Sequence, residues 1–104
     1  MSKVDDLSIP IRTNEEYKFK VFLFSPQFRT VEAVYILAKY EGNDLVPLYI
    51  DETDDLSQAI GMHINRLGLN PYGCTHICLL YEKGKTKRTA IKDELVNLLP
   101  IPHG

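Results

Sequence analysis

Ala33-Val34-Tyr35-Ile36-Leu37-Ala38, then Glu41-Gly42-Asn43-Asp44, then Leu45-Val46-Pro47-Leu48-Tyr49-Ile50, is the stretch on which the fold turns. Two runs rich in β-branched and aromatic residues around a Gly-Asn turn read as a β-hairpin. Pro47 lacks an N–H to give to a strand ladder, so the second strand is expected at an edge or at a bulge.

Downstream, Thr53 is the expected N-cap of a helix over 54–67, with Asp54 and Asp55 in its first turn, where the helix dipole favours anions. Leu56, Ile60, His63, Ile64 and Leu67 recur at helical spacing and form one buried stripe. Gly68 and Asn70-Pro71-Tyr72-Gly73 close that helix. Cys74 to Tyr81 reads as another strand, and Glu82-Lys83-Gly84-Lys85 leads into a second helix. There Ile91, Leu95, Leu98 and Leu99 share a face, and Pro100 stops it.

Upstream, Lys18 to Phe24 alternates and then becomes continuously apolar, as a strand entering a core does, and Ser25-Pro26-Gln27 ends it. Residues 1–16 show no clear period and are expected to be an arm, ending at most in a short edge strand. The expected order is β-β-β-α-β-α: one α+β domain over 17–104, with a small central antiparallel sheet packed by helices.

Composition bounds the function. A chain of 104 residues with 44% hydrophobic content builds one core, and a net charge of -2 with pI near 5.9 excludes gripping nucleic acid through overall charge. Residues 1–60 hold eleven acidic and six basic side chains, whereas residues 61–104 hold three and six, so any basic contact surface is local. No apolar run reaches the roughly 20 residues of a membrane span, and the first residues lack the apolar core of a signal peptide, so the expected location is cytoplasmic. Cys74 and Cys78, on one strand, stand about 13 Å apart at ~3.3 Å per residue, too far to bridge or to share one ion, and read as buried thiols.

Tyr35 in Ala33 to Leu37, Tyr49 in Leu48-Tyr49-Ile50-Asp51, the helix that follows, and Glu94-Leu95-Val96 running to Pro100 together resemble the GIY-YIG nuclease family over residues 33–103. The resemblance implies a nuclease-like fold in which the hydroxyls of Tyr35 and Tyr49 surround the attacked phosphate, His63 lies near the attacking water and Glu94 holds magnesium. It also implies an arginine about ten residues beyond the second tyrosine, where this chain has Ala59. Such a cation stabilises developing phosphate charge, and its loss costs on the order of 10² to 10⁵ in rate. The second-motif glycine is replaced by Asp51, beside Glu52, and His103 stands where the family often ends in asparagine.

The leading expectation is a catalytically impaired, nuclease-like module that binds nucleic acid or protein, with Arg66, Lys83, Lys85, Lys87 and Arg88 as phosphate contacts. One alternative is an active magnesium-dependent endonuclease in which Tyr35 or His63 takes a proton from water, Glu94 holds the ion and Arg66 replaces the missing cation. Another is a protein-interaction or inhibitor module using the acidic surface from Asp51 to Asp55. Without the resemblance, Tyr35 and Tyr49 are half-buried strand tyrosines, His63 a satisfied core histidine and Glu94 a surface carboxylate.

Overall fold

The elements of the computed structural model, which describes residues 3–103, run β1 (Asp5–Arg12), β2 (Glu15–Leu23), β3 (Ala33–Glu41), β4 (Asp44–Thr53), α1 (Leu56–Leu67), a 3-10 turn at Pro71–Gly73, β5 (His76–Tyr81) and α2 (Lys85–Leu98). The five strands form one antiparallel sheet in the order β1-β2-β5-β3-β4. A small α+β fold with two helices is therefore observed, but the strand order along the chain differs from expectation by one strand. Residues 5–12, expected in the arm, pair with β2 from Asp5↔Val21 to Arg12↔Glu15. The first two residues of the expected arm lie outside the described residues. Leu7, Ile9 and Ile11 do alternate, but Pro10 and the flanking charges obscure the pattern. Pro10 is tolerated because β1 is an edge and its pairing shifts register there.

The hairpin of β3 and β4 forms around Gly42, whose φ of +63° is the left-handed conformation that glycine adopts without strain. β4 is the opposite edge, and its register jumps from Leu37↔Tyr49 to Ala38↔Pro47, so the expected proline position is both an edge and a bulge. Because of that extra residue, Leu48 and Tyr49 both reach the same side of the sheet.

β3 reads as continuously apolar because both of its faces are covered. Val34, Ile36 and Ala38 join Ile9, Phe19, Val21, Ile50, Cys78 and Leu95 of α2 on one side. Tyr35 and Leu37 join Phe22, Leu48, Ile77, Leu79 and Leu56 and Ile60 of α1 on the other. The two cysteines are buried, free and in different clusters, and burial pushes the Cys74 thiol up to about 11 and the Cys78 thiol up to about 12. Leu67 and Leu98, expected in the buried stripes, are the last residues of their helices and are exposed. No described helix is long and apolar enough to cross a membrane.

The N-cap of α1 is Asp55 rather than Thr53. Its carboxylate accepts from the Gln58 N–H at 3.2 Å and the Ser57 hydroxyl at 2.6 Å, while Thr53 Oγ1 accepts from the Asp55 N–H at 3.0 Å. Thr53 thus shapes the approach and Asp55 caps, which leaves no acidic side chain in the first turn.

Candidate functional site

Tyr35, Tyr49 and His63 converge on the α1 side of the sheet. In the β3–β4 ladder Tyr35 faces Asp51 and Leu37 faces Tyr49, so the two tyrosines are diagonal neighbours on one face. Their ring centroids are 6.3 Å apart. His63, delivered by α1, is 8% exposed; its Nε2 shares a hydrogen bond of 2.8 Å with the Tyr35 hydroxyl, and its ring lies edge-on to Tyr49 at 4.8 Å. The core reading of His63 and its place beside both tyrosines are therefore the same fact.

Above these rings is a cavity of about 340 Å³ whose wall includes Asp51, Glu52, Gln58, Ala59, Met62 and Arg66. Ala59, His63 and Arg66 form the stripe of α1 that faces it. Arg66 follows Ala59 by two helical turns, roughly 10 Å along the axis, and still lines the same space.

Burial raises the Tyr35 phenol well beyond the usual range, and burial followed by the nearby Asp51 carboxylate raises Tyr49 to about 12. Burial lowers His63; Asp51 works against that shift and Arg66 with it. Around neutral pH the cleft thus presents two protonated phenols and a neutral imidazole. The Tyr49 hydroxyl donates to Asp51 at 3.1 Å, and Lys92 pairs with the same carboxylate at 3.4 Å.

Two residues outside the expected set complete the site. Tyr72 has a φ of +59°, unusual for a bulky residue, and its ring stacks on Tyr49 at 5.1 Å and 12°. His103 stacks on the outer face of Tyr72 at 4.5 Å, and its N–H donates to the Leu48 carbonyl at 3.1 Å. The result is a column of three rings along β4. A tyrosine between proline and glycine in a tight turn is the sequence signal for Tyr72, and it is faint.

Glu94 is not part of this site. It accepts a hydrogen bond from the Tyr17 hydroxyl and an ion pair from Arg12 at 3.1 Å, and it lies on α2, which covers the opposite face. Tyr17, first through that hydrogen bond, is raised to about 12. The expected ion position is thereby corrected: a helix stripe identifies which residues share a side, not which side of the sheet the helix covers. The resemblance implies a single carboxylate for magnesium, and with Glu94 behind the sheet the carboxylates that line the cleft, among the described residues, are Asp51 and Glu52, both already paired. Asp51 is held by Tyr49 and Lys92, and Glu52 by Arg88 at 2.9 Å and Lys85 at 3.0 Å. Among the described residues no three His, Cys, Asp or Glu side chains are grouped to hold an ion.

The expected basic contact cluster also divides. Arg88 is 2% exposed, giving Nε to Glu52 and Nη1 to the carbonyls of Glu82 and Lys83 at 3.1 and 2.8 Å, so it closes the 82–84 loop from within. It is not accessible to a phosphate backbone. Burial pushes the Glu52 carboxyl up, but the hydrogen bonds from Arg88 and Lys85 outweigh it and the net shift is downward. Lys83, Lys87 and most of Lys85 are exposed.

Comparisons of this chain with protein-family models, with curated proteins and with solved structures gave no match.

Proposed function

We propose that the chain is a nuclease-like domain that has lost catalysis and holds nucleic acid, in single-stranded form, at the cleft of Tyr35, Tyr49 and His63. The observation that carries this reading is a split within the expected constellation. Two tyrosines and the histidine share one cavity with Ala59 in its wall, whereas Glu94 is tied to Arg12 and Tyr17 behind the sheet. A phosphodiester there meets Arg66, but neither a guanidinium from position 59 nor a carboxylate free to hold an ion.

Binding is supported by the rings. Tyr72 is stacked on both faces, so the column ends in the exposed ring of His103, on which a base can stack, and base–aromatic stacking is worth about 1–3 kcal/mol per base without reading sequence. Asp51 disfavours a phosphate directly beside it, so the backbone is expected to run along the Arg66 side. Labelled single-stranded and double-stranded DNA titrated by anisotropy at low and moderate salt tests this. Salt-dependent retention of the single strand, weakened in Tyr72→Ala, supports it. Equal retention by Tyr72→Ala contradicts it.

A protein partner is the second reading, favoured by the exposed Met62, Leu67 and Leu69 at 58, 45 and 70%, with Met62 on the cleft wall. Binding that persists in high salt but is lost on Met62→Lys selects it.

A further inference from the structure

A second cavity, of about 320 Å³, lies on the same side of the sheet, between β2, β5 and the segment joining β2 to β3. Among the described residues its lining shares no member with the Tyr35 cleft. Phe22, Leu56 and Leu79, all nearly buried, provide the floor, and Phe28 and Val31 provide a wall. The sequence builds it through Phe28-Arg29: the ring packs towards the core beside Phe24 while the next side chain stays in solvent.

The charge around the cavity is of one sign. Lys3, Lys20 and Arg29 line it, and among the described residues no carboxylate does. Lys3 pairs with Asp6 at 2.9 Å, but Lys20 lies over the ring of Tyr81 at 5.9 Å from its centroid. Asp6 offsets Lys3, which leaves Lys20 and Arg29 as two cations beside an apolar hollow in whose described lining no carboxylate stands.

We propose that this cavity binds a nucleoside monophosphate, with the base against Phe22 and Phe28 and the phosphate between Lys20 and Arg29. A lone phosphate leaves the apolar floor unused, and an uncharged nucleoside leaves the cations uncompensated. The volume falls at the small end of ligand sites, which suits one nucleotide rather than several. The nucleotide is either free or one unit of a single strand. The site does not rest on the reading of the Tyr35 cleft.

The test is titration of the isotopically labelled chain with adenosine 5′-monophosphate, adenosine and inorganic phosphate, followed by amide chemical shifts. Saturable shifts centred on Lys20, Phe28, Arg29 and Tyr81 are expected with the monophosphate. Adenosine and phosphate alone should each bind at least about tenfold more weakly, the equivalent of one charge-assisted hydrogen bond or one stacking interaction. Arg29→Glu and Lys20→Glu, both at exposed positions and checked by thermal melting, should weaken binding by about tenfold or more, while the distant Lys39→Glu should not. An oligothymidylate that shifts the same residues at lower concentration identifies a strand as the source; equal affinity identifies the free nucleotide. No saturable shift up to about 5 mM, a threshold beyond ordinary metabolite affinity, overturns the proposal. So do shifts confined to Tyr49, His63 and Tyr72, or affinity indifferent to both charge reversals.

Discussion

The hydroxyl of Tyr35 and Nε2 of His63 lie 2.8 Å apart and join the middle of β3 to the middle of α1 across the floor of the cleft. Each is the other's partner in a nearly dry place. Tyr35→Phe is therefore expected to leave a buried ring nitrogen unsatisfied and to cost about 1–3 kcal/mol. Urea unfolding measures this; a change below the experimental error removes the pair from the core's support.

Burial of His63 sets the direction of a pH dependence. His63 is held below its ordinary value, so between that value and the lower one in the fold the unfolded chain binds a proton that the folded chain refuses. Stability is complete above the ordinary histidine value and falls as pH drops through the window beneath it. Glu52 is also lowered, so its contribution is present above the ordinary carboxylate value and disappears as pH falls further. Melting temperature should decline in two stages on acidification, and His63→Gln should flatten the first stage alone.

Arg88 and Glu52 form a largely desolvated ion pair at 2.9 Å that also secures the 82–84 loop. Arg88→Ala leaves Glu52 with the exposed Lys85 alone and the Glu82 and Lys83 carbonyls without their donor, and is expected to destabilise by about 3 kcal/mol. Adding Glu52→Gln should recover part of that stability, a non-additivity readable by a double-mutant cycle. If Arg88 instead serves to hold a phosphate, its removal reduces nucleic-acid affinity with little change in melting temperature.

Arg66 is, among the described residues, the cation that lines the cleft. Arg66→Gln should weaken single-strand binding at all sequences alike and make the salt slope shallower by about 0.7 for each phosphate that Arg66 neutralises. Ala59→Arg places a second guanidinium in the same wall and should strengthen binding. It should not produce cutting, because Glu94 stays behind the sheet.

Much of the fold was legible where one residue type has one physical use: Gly42 at the hairpin, Pro47 at the bulge, and Leu56, Ile60 and His63 on one helix face. The first strand was hidden because Pro10 and charged neighbours mask its alternation, and edge strands carry their signal on one face only. The clustering of Tyr35, Tyr49 and His63 was an expectation of the resemblance alone, since local pattern gives only strand tyrosines and a core histidine; the β3–β4 register and the buried stripe of α1 bring them together. Glu94 did not, since its position depends on which face α2 covers, and that is decided by packing across the sheet. Arg88 was misread for a related reason: nothing in Lys85-Thr86-Lys87-Arg88 distinguishes the side chain that turns inward to Glu52 from those left in water. The cavity at Lys20 and Arg29 joins residues from separated segments and has no contiguous signature.

Incubation of the pure chain with labelled single-stranded, double-stranded and branched DNA in magnesium or manganese, scored for retention and cleavage together, probes the central claim most directly. Salt-dependent retention of single strands that remain intact is the expected result. Products whose appearance is abolished by Glu94→Ala contradict it, since a carboxylate held by Tyr17 and Arg12 on the far side of the sheet would then be taking part in the chemistry.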